Sequence, residues 1–185
     1  MVKRSFAALV AVALCAPLAF AQAPAQPRPP QTMSMFLQGQ YATLKRNLTG
    51  AAEKMPAEHF SFRPTPEVRS YAALFAHTID TQIYFCNLVK GGTSPIAGKD
   101  LEKTVTDKAG VVQMVKDGFA YCDDVFAGLS DEKLSTMLTL GTAPKTYQVA
   151  AGNQATMVVV HGNEHYGNLV TYMRIKGIVP PSSAQ

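Results

Sequence analysis

Apolar residues recur every three or four positions along the first long segment of the chain. Between Thr32 and Pro56 they form a single helical stripe made of Leu37, Tyr41, Leu44, Leu48, Ala51 and Met55. This spacing predicts an amphipathic α-helix with one face toward a core. Pro56 cannot continue such a helix and is expected to end it.

Two further helices are predicted on either side of a long connection. The second runs from residue 66 to residue 90, with Thr65 as its N-cap and Pro66 in its first turn. The third covers residues 108–129. Residues 91–107 between them hold three glycines, a proline and mixed charge. A connection of this length allows two successive helices of a bundle to lie parallel rather than antiparallel.

The C-terminal part of the chain predicts one more long helix. Residues 130–148 suggest a short helical turn that Gly141 and Pro144 break. The last helix is expected to begin between residues 145 and 152 and to end at Lys176, before Gly177. We find no convincing alternation of apolar and polar residues that would indicate a strand. The predicted fold is therefore all-α, a four-helix bundle.

The N-terminus carries the pattern of a secretory signal. Lys3 and Arg4 precede an apolar run that ends in Ala19-Phe20-Ala21. A basic start, a short apolar stretch and small residues before a cleavage point predict a signal peptide over residues 1–21. Residues 22–31 are rich in Pro, Ala and Gln and predict a disordered leader, so the domain covers residues 32–185. We expect the protein to be exported, either to a periplasm or to the medium.

Length and charge limit the classes of function. Cleavage after residue 21 leaves 164 residues, enough for one domain with a sizeable core. Loss of Lys3 and Arg4 lowers the formal charge from +4 to +2. A chain this close to neutrality has no electrostatic basis for binding nucleic acid or an anionic membrane surface. No apolar run after the signal is long enough to span a membrane.

Three histidines form the strongest chemical signal. His161 and His165 are four residues apart, so they lie on one face of the last helix, about one turn from each other. Val158, Leu169 and Tyr172 share that face, which is therefore expected to point inward. His77 lies in the middle of the second helix among apolar residues. We predict a metal site made of these three histidines, whereas His59 is expected in a loop.

Two carboxylates, Glu164 and Asp80, lie near the histidines in the sequence and are candidate supporting groups. The pentad His161-Gly-Asn-Glu-His165 fits the H-x-x-E-H pattern of one class of zinc protease. Those enzymes need a further acidic ligand downstream, and no Asp or Glu follows His165. We reject the protease interpretation and treat Glu164 as a solvated group or a hydrogen-bonding partner of a ligand. Asp80, three residues after His77, is the other candidate for that supporting role, the alternative being an exposed helix carboxylate.

Three imidazole ligands suit Zn, Ni, Fe, Mn or Cu and leave coordination positions open. The leading hypothesis is an exported metal-dependent enzyme that activates water or a substrate heteroatom for transfer or hydrolysis. A second hypothesis is a non-catalytic protein that binds a metal or small ligand in the same pocket. A third is a structural bundle whose histidines only form hydrogen bonds in the core. The expected partner is a small molecule of unknown identity, with a homodimer as the candidate assembly.

Two cysteines remain after signal cleavage, Cys86 and Cys122. They lie on different predicted helices. In an oxidising compartment such a pair favours a disulfide. The alternative is two buried free thiols.

Three stretches of the sequence carry a resemblance to a known family. RSYAALFAH and TIDTQIYFCNLVKG surround His77, and HGNEHYGNLVTYMRIKGIVPPSS lies near the end of the chain. They resemble the DinB-like superfamily of metalloenzymes, in particular its exported bacterial members. The resemblance covers nearly the whole mature domain. Its most specific elements are His77, the pair His161 and His165, and the Gly-Asn that follows two residues later.

The resemblance implies a four-helix bundle of up-down-down-up topology and one divalent metal, often zinc or nickel, held by the three matching histidines. Characterised relatives include thiol S-transferases that use bacillithiol and an isomerase that depends on mycothiol. Parallel second and third helices would bring Cys86 and Cys122 to similar heights, which favours a disulfide. Cys86 follows His77 by nine residues, which places it on the opposite side of the helix, about 180° away. The bridge is therefore expected to lie away from the metal.

Overall fold

The computed structural model describes residues 30–184. In chain order the elements are α1 (Met33–Lys54), α2 (Tyr71–Lys90), α3 (Leu101–Thr104), α4 (Lys108–Ala127), α5 (Asp131–Leu134), β1 (Met137–Thr142), β2 (Lys145–Ala150) and α6 (Ala151–Ile175). Single 3₁₀ turns lie at Ala57–His59 and Pro181–Ser183. The predicted signal peptide and all but the last two residues of the predicted leader fall outside the described residues. The predominance of helix is confirmed.

The stripe predicted on α1 is buried as expected. Its six apolar residues, from Leu37 to Met55, are all at most 5% exposed. The Thr32 side chain caps the helix by accepting a hydrogen bond from the amide of Met35. Buried residues of α1, α2, α4 and α6 belong to one hydrophobic cluster.

The four long helices pack in a ring. Helix α1 contacts α4 and α6, and α2 contacts the same two helices from the other side of the core. The Tyr41 ring stacks on Phe126 at a centroid distance of 3.8 Å, and its hydroxyl donates to the carbonyl of Phe119. Tyr71 of α2 donates its hydroxyl hydrogen to the carbonyl of Ala51 in α1. Buried tyrosines thus satisfy their hydroxyls across the core while their rings fill it.

Helix α2 begins later than predicted. The prediction placed Thr65 as N-cap, but the cap is Ser70, whose hydroxyl accepts from the amide of Ala73. The amides of Tyr71 and Ala72 donate to the carbonyls of Phe62 and Phe60, both at 2.9 Å. The first amides of a helix have no partner within it, and here the preceding segment folds back to supply them. This tertiary contact sets the start of α2, and residues 63–70 form turns.

The segment after α4 was predicted incorrectly. It contains a β-hairpin, β1 and β2, paired antiparallel from Met137 opposite Ala150 to Thr142 opposite Lys145. Leu140 is buried on one face of the hairpin, whereas Met137, three residues earlier, is exposed. Residues three apart lie on opposite faces of a strand but on the same face of a helix, so the apolar residues follow a strand period. Gly141 has φ 92°, and a Cβ there would collide with the carbonyl of Lys145. The fold is therefore helical with a small two-stranded sheet rather than all-α.

The long connection after α2 also contains a short helix. Asp100 caps α3 by accepting from the amide of Lys103, and α3 packs against α2. This contact carries Glu102 to the middle of α2. The connection was predicted as a loop, and four helical residues are too few to leave a periodic signal.

The predicted disulfide is present, and the free-thiol alternative is wrong. Cys86 of α2 and Cys122 of α4 are bonded and fully buried, with Cα atoms 5.6 Å apart. Between residues 30 and 184, no helix combines the length and apolar character that crossing a membrane requires.

Candidate metal centre

The structure brings together the three histidines singled out in the sequence. His77 of α2 faces His161 and His165 of α6, with ring centroids 5.1 and 4.9 Å away. One nitrogen of each ring lies within 4.8 Å of the corresponding nitrogens of the other two. The Nε2 atoms of His161 and His165 are 3.0 Å apart. These distances are short enough for the three rings to reach one ion.

Local packing directs the α6 pair toward the seam with α2. His161 and His165 are one turn apart, so their side chains project in nearly the same direction. Gly162, next to His161, lies against Leu44 of α1, and a Cβ at this position would collide with the Leu44 side chain. Because the glycine side of α6 approaches α1 so closely, His161 is turned away from α1 and toward the cleft.

The cluster lines a cleft and is less buried than the sequence suggested. His165 is 9% exposed, but 27% of the His77 side chain is accessible. A cavity of about 650 Å³ adjoins the cluster, and its wall includes His165, Asn168 and Tyr172. A site of this kind is open to a small molecule on one side and closed by packed helices on the other.

Burial keeps the three imidazoles neutral. Loss of hydration lowers the pKa of His165 to about 4, with the neighbouring His161 as the next cause. Burial also lowers the pKa of His77 and that of His161. A cationic ring costs free energy where water is scarce and other rings are close. At neutral pH each ring therefore keeps a lone pair, which is the form that binds a metal.

Glu102 is the carboxylate that faces the cluster, and no sequence pattern indicated it. Its Oε1 atom lies 3.6 Å from Nδ1 of His77. This is too long for a hydrogen bond, so the carboxylate acts on His77 electrostatically and raises its pKa against the effect of burial. Nδ1 thus faces the carboxylate, which leaves Nε2 of His77 as the nitrogen for an ion. Glu102 comes from α3, so no residue spacing along α2 could have identified it.

The two carboxylates proposed from the sequence occupy other positions. The Asp80 side chain forms no ion pair or hydrogen bond with residues 30–184, and burial raises its pKa. Glu164 is exposed on α6 and is likewise unpaired within that part of the chain. Both are close enough to raise the pKa of His77 electrostatically, but neither contacts a histidine ring.

Arg69 holds Glu102 in place. Its Nε atom donates to both carboxylate oxygens of Glu102 at 3.1 Å. The carbonyl of Arg69 accepts a hydrogen bond of 3.0 Å from the Tyr172 hydroxyl of α6. The segment before α2, the short helix α3 and the end of α6 are therefore joined beside His77.

Asn168 contacts the outer nitrogen of His165. Its Nδ2 atom lies 3.3 Å from Nδ1 of the ring. When the amide donates there, Nε2–H of His165 can donate to Nε2 of His161, so both contacts fit one tautomer. Asn168 is three residues after His165, on the same helical face, and this spacing could have identified it. His59 lies in the 3₁₀ turn at Ala57–His59 and is not part of the cluster.

Comparison with known proteins identifies relatives of the whole helical domain. A sequence profile described as the DinB superfamily matches residues 40–169, a range that contains all three histidines. The uncharacterized protein YjoA of Bacillus subtilis strain 168 is 28% identical over 134 residues, which cover 71% of this chain and 84% of that protein.

Solved structures show the same fold. The crystal structure of the DinB-like protein YjoA from Bacillus subtilis superposes with a TM-score of 0.61 at 23% identity, over 77% of this chain and 92% of that one. A conserved protein from Enterococcus faecalis gives a TM-score of 0.62 at 13% identity, over 79% and 98%. A DinB-like protein from Bacillus cereus ATCC 10987 gives 0.61 at 17% identity, over 82% and 97%.

Proposed function

The chain belongs to the DinB superfamily, and we propose that it is an exported enzyme in which His77, His161 and His165 hold one divalent metal ion. The observation that carries this proposal is the convergence of three neutral imidazoles beside an open cavity. The proposed reaction is a transfer or a hydrolysis on a small molecule.

The donor set fits a divalent transition metal. Two imidazole nitrogens bound to one ion at about 2.0–2.1 Å lie about 3 Å apart, and the Nε2 atoms of His161 and His165 are separated by 3.0 Å. Three nitrogen ligands suit zinc or nickel best and also accept Fe, Mn or Cu. If Nε2 of His165 binds an ion, the imidazole carries its proton on Nδ1 instead. Asn168 can then turn its amide so that the oxygen accepts from Nδ1–H.

An ion held by three histidines lowers the pKa of a bound water or thiol and polarises a bound carbonyl. The surrounding residues supply binding and orientation. Asn168 and Tyr172 line the cavity beside His165, and the Arg69–Glu102 pair forms its charged wall. This mixture of polar and apolar walls suits a small polar organic substrate. A mature chain of formal charge +2 offers little net attraction for a nucleic acid.

We also propose the up-down-down-up arrangement of the four long helices. Residue pairs that support it are the bridge between Cys86 and Cys122, each near the end of its helix, and the contact of Tyr41 with Phe119. Tyr41 lies in the first half of α1 and Phe119 in the second half of α4, which supports an antiparallel pair. Cys86 and Cys122 lie in the second halves of α2 and α4, which supports a parallel pair.

Metal binding is expected to stabilise the folded protein. Zinc at about 100 times its dissociation constant should add about 2.7 kcal/mol to the free energy of unfolding. For a domain of this size the melting temperature then rises by roughly 5–10 °C. Differential scanning calorimetry with and without a chelator measures this rise. An unchanged melting temperature would instead favour a structural bundle whose histidines only form hydrogen bonds.

Glu102→Gln is expected to weaken metal binding about 10- to 100-fold, the usual cost of removing a carboxylate behind a metal-binding histidine. The amide keeps the size of the side chain but loses the charge that orients His77. Competition with a chromophoric chelator measures the affinity, and the melting temperature of the metal-free variant checks the fold.

Asp80→Asn is the comparison for Glu102→Gln, because Asp80 is close to His77 in sequence but contacts no histidine. Its zinc affinity is expected to stay within about threefold of the unmodified protein, well short of the effect at Glu102. Equal losses in the two variants would mean that only the overall charge matters and not the contact with Nδ1 of His77.

The proposed activity is tested on protein recovered from the exported fraction. Elemental analysis is expected to find about one equivalent of a divalent metal. Metal-loaded protein and protein stripped of metal by a chelator are then compared for turnover of esters and of electrophiles that react with thiols. Absence of a stoichiometric metal would refute the proposal. A bound ligand without turnover across the panel would favour a non-catalytic binding protein.

A further inference from the structure

A second cavity lies along the seam of α2 and α6, at the corner where β2 runs directly into α6. Its volume is about 470 Å³, within the range of small-molecule pockets. Its walls come from the last turns of α2, the hairpin and the first turns of α6. None of the three histidines lines it. Nothing in the proposed metal chemistry accounts for this cavity.

The cavity walls are aromatic and apolar, and several of them face solvent. Tyr84 and Phe85 of α2 have ring centroids 5.2 Å apart. Tyr147 of β2 lies opposite the buried Leu140 in the hairpin, and Met157 of α6 completes this side. Tyr84 is 53% exposed and Tyr147 59% exposed. Large rings left accessible around one concavity are typical of a surface that binds a flat apolar group.

Gln154 provides a polar group within these walls. The residue is only 6% exposed and lines the cavity. Its side-chain amide forms no hydrogen bond with residues 30–184. A buried primary amide has two donors and one acceptor that need partners, and it is costly to leave them unpaired. Among residues 30–184, the fully buried side-chain atoms without a partner are Nε2 and Oε1 of Gln82, so the Gln154 amide is accessible from the cavity. Its hydrogen bonds are therefore made to water or to a molecule bound there.

The charge of the lining restricts the ligand further. Among the described residues, those that line this cavity include no Asp, Glu, Lys, Arg or His. A charged molecule would lose hydration there without gaining an opposite charge. We propose that the cavity binds a neutral small molecule with a flat aromatic body and an amide-like edge, which exchanges hydrogen bonds with Gln154.

The cavity is close to the histidine cluster but separate from it. Gln154 precedes His161 by seven residues, and Tyr84 follows His77 by seven. Seven residues are two helical turns, about 10 Å along each axis, so both sites open on the same side of the seam. A molecule in the cavity does not need to touch the histidines. The inference therefore holds whether or not a metal is bound.

Benzamide is the probe, because it combines one aromatic ring with one neutral primary amide. Titration into ¹⁵N-labelled protein is expected to shift the side-chain amide signals of Gln154 in a saturable way. Benzoate, which has the same ring but a negative charge, is expected to bind at least about tenfold more weakly. Acetamide, which lacks the ring, should give no saturation over the same concentration range.

Gln154→Leu keeps the approximate size of the side chain and removes the amide. Benzamide affinity is expected to fall about tenfold, the effect of losing one good hydrogen-bonding group. Tyr147→Ser, at an exposed strand position, should weaken binding while leaving the fold intact. Gln113→Leu is the matched control, since Gln113 lies on α4 and bonds Asp117. Its benzamide affinity should be unchanged.

Three results would overturn the proposal. Benzamide shifts that do not saturate would show that the cavity has no specific ligand of this class. Equal affinity for benzoate and benzamide would contradict a neutral site. A dimer in sedimentation experiments that protects the Tyr84 and Tyr147 signals would show that a second copy of the chain covers the cavity.

Discussion

His161→Ala is expected to lower zinc affinity at least about 100-fold and to leave the purified protein without stoichiometric metal. Loss of a hydrogen-bonding partner behind a ligand costs about 10- to 100-fold in metal affinity, so loss of the ligand itself should cost at least as much. The imidazoles of His77 and His165, whose ring centroids are 4.9 Å apart, remain in the variant. Two such ligands alone bind a divalent ion weakly.

Elemental analysis and chelator competition measure the effect of His161→Ala. His59→Ala is the matched control, because it removes the same ring from the 3₁₀ turn outside the cluster. The His161 side chain is only partly buried, so the variant should fold. Circular dichroism checks this. Equal metal content in the His161 and His59 variants would refute the three-histidine site.

Replacement of both Cys86 and Cys122 by alanine is expected to lower the free energy of unfolding by roughly 4 kcal/mol. The bridge joins residues separated by 36 positions, and closing a loop of that length restricts the unfolded chain by about this amount. The bridge also connects α2 to α4 inside the core, where both sulfurs are fully buried. Equilibrium unfolding in urea measures the loss.

The same double variant is expected to retain its metal. Cys86 faces α4, whereas His77 faces α6, so the two sides of α2 have separate roles. Reduction of the unmodified protein before unfolding is the control, and it should reproduce the stability loss without any substitution. A loss below about 1 kcal/mol would mean that the unfolded chain without the bridge already retains structure that limits its freedom. Loss of metal would show that the bridge also positions His77.

Much of the helical framework could be predicted because it depends on nearby residues. The apolar stripe of α1 is buried along its whole length, and the predicted bounds of the last helix agree with α6 to within one residue at its end. The hairpin was missed because Leu134, Met137, Leu138 and Leu140 also match a helical spacing over a short window. Only the pairing of β1 with β2 distinguishes the two structures.

The start of α2 also could not be predicted from nearby residues alone. Thr65 before Pro66 and Ser70 before Tyr71 are both acceptable N-caps in sequence terms. The choice of Ser70 depends on the carbonyls of Phe60 and Phe62, which receive the first amides of the helix. Those contacts form only when the preceding segment folds back.

The sequence alone determined the four long helices and the pairing of His161 with His165, because residues four apart on a helix share a face whatever surrounds them. It also indicated His77, a histidine among apolar residues in the middle of the second predicted helix. Tertiary structure decided which groups support the cluster. Glu102 reaches His77 only because α3 packs on α2, and Gln154 lines the second cavity only because α2 and the hairpin pack beside the start of α6. Contacts between distant residues depend on packing, and packing leaves no periodic signal in the chain.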